Sequence, residues 1–267
     1  MLWKALLVFF LVGGEMLLEF GLVVLVLALI CEYVDSTLGM GYGTTLTPVL
    51  MMLGLDPLQI VPAVLLSELI TGVLAAAAHQ KVGNVNFRDP KIRNVALVLA
   101  LCSIVGTIVA VFIAVSIPAF YLKLYIGILV ALMGVIILWK RNGQSAFSWL
   151  KITILGIVAA FNKGMSGGGY GPLVTSGQIL SGVDGKKAVG ITSLSEGLTC
   201  LVGLVTFFII GESVLDWELA GFLVVGAVLS VPLSAISVKK MQLKKMTTMI
   251  GVATLVLGLF TLWKLFA

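Results

Sequence analysis

The sequence is poor in charge and in the residues that usually build catalytic and metal sites. Only 11% of its 267 residues are charged, and His79 is its single histidine. A soluble domain of this length carries about 25% charged residues, which excludes that class. Cys31, Cys102 and Cys200 lie inside apolar runs without CxxC spacing, so we expect no disulfide, metal site or cofactor. No basic run interleaved with aromatic residues indicates a nucleic-acid partner.

Apolar segments make up most of the chain instead. Hydrophobic residues account for 60% of the sequence, and the mean hydropathy is +1.17. Runs of about 20 apolar residues recur, and a helix of that length crosses a hydrocarbon core roughly 30 Å thick. Strands of a membrane barrel would alternate apolar and polar residues, which these runs do not do. The pattern predicts an all-α, multi-pass protein of the cytoplasmic membrane, with the lipid bilayer as its surroundings.

A shift of 128 residues aligns two stretches of the chain without a gap. Twelve of the 33 positions from 39 to 71 are identical across this shift. They include glycines, an aspartate and a Ser-Glu pair, which apolar composition alone does not produce, so they indicate two related halves. The identical pairs are Gly39/Gly167, Gly41/Gly169, Tyr42/Tyr170, Gly43/Gly171, Thr47/Thr175, Gly54/Gly182, Asp56/Asp184, Val61/Val189, Leu66/Leu194, Ser67/Ser195, Glu68/Glu196 and Thr71/Thr199.

Each half is predicted to contain an apolar segment, a Gly-rich break, a short apolar piece and three long transmembrane helices. The short pieces have about ten residues and cannot span the membrane. The predicted segments are about 17–36, 44–54, 57–80, 94–115 and 120–139, then 149–163, 172–182, 186–210, 217–236 and 246–265. One membrane domain results, with a short interfacial segment at 1–14, a first repeat at 15–139 and a second at 149–267.

Loop charges predict that the two halves lie in opposite orientations. The loop after the second long segment is basic at 81–93, whereas its counterpart at 211–218 is acidic. Basic loops face the cytoplasm. If the first segment and the short piece of each half form a broken-helix hairpin that enters and returns, 13 of the 17 Lys and Arg face the cytoplasm. The fold predicted is therefore a pair of inverted-topology repeats.

The two Gly-rich breaks are the predicted substrate site. Glycine permits a close approach of backbone to ligand, and the N-terminus of each following half-helix offers free N–H donors and a partial positive charge, which suits an anion. The alternative is that the glycines only allow tight helix packing. The candidate substrate-binding residues are Gly41, Tyr42, Gly43, Thr44, Asn162, Lys163, Gly168, Gly169, Tyr170 and Gly171.

Charged residues stand inside the predicted membrane segments. An ionised side chain at the bilayer centre costs roughly 3 kcal/mol, so it faces a cavity or a partner. Lys163 either binds the anion or pairs with Asp35, its counterpart at the 128-residue shift. Glu68 and Glu196 either carry protons or accept N–H bonds from the Gly-rich loops, and one of them could instead pair with Lys163. Glu32 lies one turn before Asp35.

An intramembrane protease is a weaker alternative. Gly164-Met-Ser166-Gly167 fits the G-x-S-G pattern of rhomboid-type serine proteases. A serine nucleophile needs a base beside it. His79 lies 11 residues beyond Glu68, about 16 Å along a helix, and a protease gives no reason for the repeat. We therefore expect no enzyme.

The motifs resemble those of the sulfite exporter TauE/SafE family of membrane transporters. The first half carries the resemblance in Asp35-Ser-Thr-Leu-Gly-Met-Gly-Tyr-Gly-Thr-Thr-Leu-Thr-Pro48, Ser67-Glu68 and Gly83-Asn-Val85. The second half carries it in Asn162-Lys-Gly-Met-Ser-Gly-Gly-Gly-Tyr-Gly-Pro172 and Ser195-Glu196. The similarity extends over nearly the whole chain after residue 15.

This resemblance implies export of a small sulfur-containing oxyanion, such as sulfite, sulfoacetate or a related organosulfonate. The substrate would be a small anion bound midway between the two breaks. A passive anion channel on the same fold is the alternative from another class, and a sequence does not distinguish a channel from a carrier.

The loop charges yield a labelling test of orientation. In a variant without native cysteines, Ser213→Cys should react with an impermeant maleimide added outside the cell, because 211–217 is predicted to face outward. Gln242→Cys, in the basic segment 239–245, should be protected until the membrane is opened. The reverse pattern would contradict the inverted orientation.

Overall fold

The computed structural model describes the backbone of residues 2–139, 148–181, 183–211, 215–238 and 243–267. Within these ranges all regular secondary structure is helical. The ten helices of this described part of the chain are α1 (Leu2–Leu38), α2 (Tyr42–Met52), α3 (Pro57–Val82), α4 (Pro90–Ser116), α5 (Ala119–Trp139), α6 (Trp149–Ser166), α7 (Tyr170–Leu180), α8 (Gly185–Ile210), α9 (Trp217–Val238) and α10 (Leu243–Phe266). The predicted all-α membrane class is confirmed.

Among the described residues, six helical stretches are long and apolar enough to cross a membrane: Glu19–Leu38, Pro57–Val82, Pro90–Ser116, Ala119–Ile136, Gly185–Ile210 and Trp217–Val238. The first differs from the expectation, because α1 has 37 residues and its apolar stretch is as long as a full span. Residues 2–14 of the predicted interfacial segment 1–14 are part of α1. The position of this segment at the membrane interface stays a prediction. The predicted loops 141–148 and 239–245 fall largely outside the described residues, as does the centre of 211–217.

Two aspartates that recur in the repeat stand at the starts of the counterpart helices α3 and α8. Asp56 Oδ1 accepts the N–H of Leu58 at 3.0 Å and caps α3, and Asp184 Oδ1 accepts the N–H of Lys186 at 3.1 Å and caps α8. A side-chain oxygen at this position satisfies an amide that the helix leaves unpaired. The repeated aspartates are therefore explained by local structure.

Counterpart helices of the two halves pack against each other in opposite directions. Along α3 and α8, Leu65 lies against Gly203, whereas Gly72, further along α3, lies against Ser193, which is earlier in α8. Helices α5 and α10 are antiparallel as well. Gly127 packs on Leu262, whereas Gly134, further along α5, packs on Leu255, which is earlier in α10.

Two further close pairs are parallel, and the 128-residue shift converts one pair into the other. Helix α1 lies along α9, from Gly21 against Phe222 to the bond that Tyr33 Oη donates to Ser237 Oγ at 2.8 Å. Its counterpart α6 lies along α4, the counterpart of α9. Glycines at these contacts let the backbones approach closely, as is usual between membrane helices. The contacts of the α4 pair are Gly156 on Cys102, Gly106 on Ala160, and Gly164 on Ala110.

The short helices fold back along the helices that precede them. The end of α2 at Leu50 shares an apolar cluster with Val24 of α1 and with Leu215 and Leu219 at the start of α9. In the second half, α7 and Val183 share a cluster with Ile152, near the start of α6. Both breaks thus lie deep in the bundle. The C-terminal ends of α2 and α7 return towards the side of the bundle from which α1 and α6 enter it.

Candidate functional site

The breaks between α1 and α2 and between α6 and α7 depend on glycine conformation. Gly39 and Gly41 have φ of 68° and 133°, and Gly167 and Gly169 have φ of 68° and 77°. Residues with a Cβ adopt positive φ only at a cost, whereas glycine does so readily. The chain therefore turns within three residues between Leu38 and Tyr42, and again between Ser166 and Tyr170.

The two breaks pack directly on each other, and their contacts are reciprocal. A Cβ added to Gly43 would overlap the carbonyl oxygen of Gly167, and a Cβ added to Gly171 would come within 2.5 Å of the carbonyl oxygen of Gly39. Gly43 and Gly171 are counterparts, as are Gly39 and Gly167. When a two-fold axis relates two similar units, each contact between two residues is matched by a contact between their counterparts, as it is here.

Hydrogen bonds between the halves hold this junction. The N–H of Gly169 donates to Thr44 Oγ1 at 2.9 Å, and Thr175 Oγ1 donates to the carbonyl of Gly39 at 2.6 Å. Of the predicted substrate-binding residues, Gly43, Thr44, Gly168, Gly169 and Gly171 meet here. The structure thus gives these glycines the packing role that the sequence left as an alternative, and their contact with a substrate stays a prediction.

Asp35 occupies the N-terminus of α2. Its Oδ1 accepts the N–H of Tyr42 at 3.2 Å, so a carboxylate of the protein lies where an anion was predicted. The other tyrosine of the repeat, Tyr170, begins α7, and its hydroxyl faces Ser195 and Thr199. The hydroxyl of Tyr42 lies 2.8 Å from Ser67 Oγ.

Lys163 forms ion pairs with both repeated glutamates. Its Nζ bonds to Glu68, and it lies 2.8 Å from Glu196 Oε1. Lys163 is 0% exposed, Glu68 3% and Glu196 5%, so the group is inside the protein. The predicted pair with Asp35 is therefore not the one formed among the described residues. Asp35 caps α2 instead. The lysine contacts the glutamates of α3 and α8 in the centre of the bundle.

Glu32 joins these acids, although no specific role was predicted for it. It accepts a hydrogen bond from Ser36 Oγ at 2.5 Å and is 2% exposed. It borders a cavity of about 10 Å³, enough for one water molecule. The residues lining this cavity are Glu32, Asp35, Glu68, Thr71, Gly72, Ala75, Ser193 and Glu196. Helical spacing places Glu32 and Asp35 on one face of α1, a signal that could have grouped them in advance.

Asn162, Ser166 and His79 have partners of their own. Asn162 Oδ1 accepts from Tyr125 Oη at 2.5 Å, and Ser166 Oγ donates to the carbonyl of Asn162 at 2.8 Å. The ring nitrogens of His79 lie 2.9 Å from the carbonyl oxygen of Ser36 and 3.0 Å from Asn84 Nδ2. The structure therefore gives the serine and the histidine of the protease hypothesis separate sites.

A helical bundle with apolar membrane-spanning helices, in which two helix breaks meet beside a buried charge cluster, has the features of a membrane transporter. Residues 23–261 match the sulfite exporter TauE/SafE family. The match extends over most of the chain, so the protein belongs to this family of membrane transporters. The resemblance seen in the sequence motifs is thereby confirmed.

A curated relative supports the same class. The chain is 27% identical over 237 residues to the probable membrane transporter protein YtnM of Bacillus subtilis (strain 168), an alignment that covers 84% of this chain and 77% of the relative. No solved structure matches the chain.

The reciprocal packing of the breaks predicts that Gly43→Ala is destabilising. The added methyl group would overlap the backbone of Gly167, and overpacking of this kind costs roughly 1–3 kcal/mol. Gly221→Ala is the matched control, because a Cβ there has nothing within 4 Å, and its effect should stay within about 1 kcal/mol. Thermal unfolding of the purified proteins in detergent measures both. Equal stability of the two variants would contradict the packing described.

The ion pairs predict that Lys163→Met destabilises the fold by about 3–5 kcal/mol, because two buried carboxylates lose their cation. Lower pH should reduce the loss, since a protonated carboxyl needs no counter-charge. The triple variant with Glu68→Gln and Glu196→Gln carries none of the three charges and should recover most of the stability. Unfolding by sodium dodecyl sulfate, followed by circular dichroism, measures the difference. A triple variant no more stable than the single one would be evidence against the charge argument.

Proposed function

We propose that the protein is a secondary carrier that exports a small sulfur-containing oxyanion across the cytoplasmic membrane. Sulfite, sulfoacetate and related organosulfonates are the candidate substrates. The observation that carries the proposal is the meeting of two helix breaks beside Lys163, in a chain that belongs to a family of sulfite exporters. Anions bind at helix N-termini and at ammonium groups, and both are concentrated at this place.

We infer that the two halves are inverted repeats, 15–139 and 149–267, each a broken-helix hairpin followed by three transmembrane helices. The antiparallel packing of α3 on α8 and of α5 on α10 supports this inference, because counterpart helices run in opposite directions only if one half is upside down. The reciprocal contacts of Gly43 with Gly167 and of Gly171 with Gly39 support it as well. Rocking of one half against the other would expose a site at their junction to each side in turn.

The proposed substrate contacts are the amides and side chains of the two breaks together with Lys163. Tyr42 and Thr44 would supply donors from the first break, once Asp35 or Gly169 releases them, and Lys163 would supply the charge. Asp35, Glu68 and Glu196 are the proposed proton-coupling or structural acids. The full set of proposed contacts is Gly41, Tyr42, Gly43, Thr44, Asn162, Lys163, Gly168, Gly169, Tyr170 and Gly171.

Export of an anion is favoured by the membrane potential. An inside-negative potential lowers the free energy of one exported negative charge by about 2.3 kcal/mol per 100 mV. An unaccompanied anion would therefore leave the cell without a pumped partner ion.

Counterflow in proteoliposomes tests the proposal. Vesicles loaded with sulfite, sulfoacetate or another sulfonate should take up the labelled anion faster than empty vesicles, and uptake should saturate, because a carrier exchanges bound substrate. Lys163→Met with Glu68→Gln and Glu196→Gln should abolish uptake while remaining folded. Unitary currents in planar bilayers, without counterflow, would indicate an anion channel instead, and no flux of any sulfur oxyanion would overturn the proposed substrate class.

A further inference from the structure

The buried cluster holds more acid than base. Four carboxyl groups, those of Glu32, Asp35, Glu68 and Glu196, border one small cavity. In the part of the chain that the structure describes, Lys163 is the cation of this cluster, and it pairs with Glu68 and Glu196. With every group ionised, the cluster would have a net charge of −3. Isolated charges of that kind are not stable in a low-dielectric interior, so the excess carboxyls need a bound cation or a proton.

Unpaired oxygen atoms show where that cation can bind. Glu32 Oε2, Glu68 Oε1 and Glu196 Oε2 are buried and have no hydrogen-bond partner. Their residues are at least nine-tenths buried and line the cavity. A cavity that admits about one water molecule has no room for a hydrated metal ion, and a proton needs only an oxygen atom and a path of water.

Lys163 is occupied by these same carboxylates. An ammonium group has three N–H donors, and Lys163 bonds to Glu68 with one and to Glu196 with another. A substrate anion at Lys163 would meet two carboxylates at contact distance, with Asp35 also within electrostatic reach. Anion and carboxylates therefore compete for one ammonium group, and the carboxylates lose that competition only when they are protonated.

We infer that the substrate anion and protons bind together, with Glu68 and Glu196 as the proton acceptors whose protonation frees Lys163 for the anion. This inference rests on the proposed anion transport. Protons that travel with the anion reduce the charge moved in each cycle, so pH and the anion gradient would govern flux more than the membrane potential does. Among the residues that the structure describes, the other ionisable groups that face the cluster belong to α1, α2, α7 and α8: Cys31, Glu32, Asp35, Tyr42, Tyr170 and Cys200.

Binding by the purified full-length protein tests the inference. Sulfate and methanesulfonate are the probes, because their own charge does not change near neutral pH, whereas that of sulfite does. In potassium buffers, Kd should rise with pH and approach a tenfold change per pH unit if one proton accompanies each anion. Calorimetry in two buffers of different ionisation enthalpy should show proton uptake on binding. This second measurement needs no variant.

The variant Glu68→Gln with Glu196→Gln imitates the protonated pair. It should bind the probes at about pH 8 at least as tightly as the native protein does at about pH 6, and without pH dependence. Glu218→Gln, at the exposed start of α9, is the matched control and should keep the native pH profile.

The outcomes separate this inference from the proposed function. Binding by the native protein without pH dependence or proton uptake overturns the inference and leaves anion transport intact. A requirement for sodium in place of protons also overturns it. Failure to bind any probe, together with absent counterflow of every sulfur anion, overturns the proposed function and the inference with it.

Discussion

A charged side chain buried in a membrane protein needs an opposite charge close to it, and around Lys163 this requirement ties three helices together. The lysine on α6 reaches Glu68 on α3 and Glu196 on α8, so both halves of the chain contribute to one buried cluster. Removal of one partner would leave the others uncompensated. The packing around the cluster is constrained accordingly, because α3, α6 and α8 can separate only if the charges are solvated or neutralised.

Close packing at the breaks satisfies the second constraint, which is that backbone polar groups in a membrane interior need partners. The chain leaves helical geometry between α1 and α2 and between α6 and α7, where amides and carbonyls lose their helical bonds. Each break supplies bonds to the other: Thr44 accepts from the amide of Gly169, and Thr175 donates to the carbonyl of Gly39. Glycine at positions 43 and 171 lets the backbones approach closely enough for these bonds. The junction and the charge cluster are adjacent, since Asp35 borders the cavity and also caps α2.

Much of the architecture could be predicted from sequence because it depends on local patterns. Apolar runs of about 20 residues identified the long helices, and the Gly-rich runs identified the breaks at α2 and α7. The repeated Asp56 and Asp184 begin helices through a bond to an amide two residues away, which is also a local rule. The length of α1 was underestimated, since the acidic residues Glu15 and Glu19 interrupt the apolar pattern without ending the helix.

By itself, the sequence determined that this is a helical membrane protein, and it predicted two related halves, glycine-dependent breaks and ionisable residues within the apolar segments. Hydropathy, glycine conformation and the 128-residue shift are all properties of the chain read in order. Only the tertiary structure decided which charges meet. The shift suggested that Lys163 would pair with its counterpart Asp35, but counterparts across a two-fold relation meet only if they lie near the axis. The glutamates of α3 and α8 lie closer to Lys163, and a choice between partners 95, 33 and 128 residues away depends on packing rather than on order in the chain.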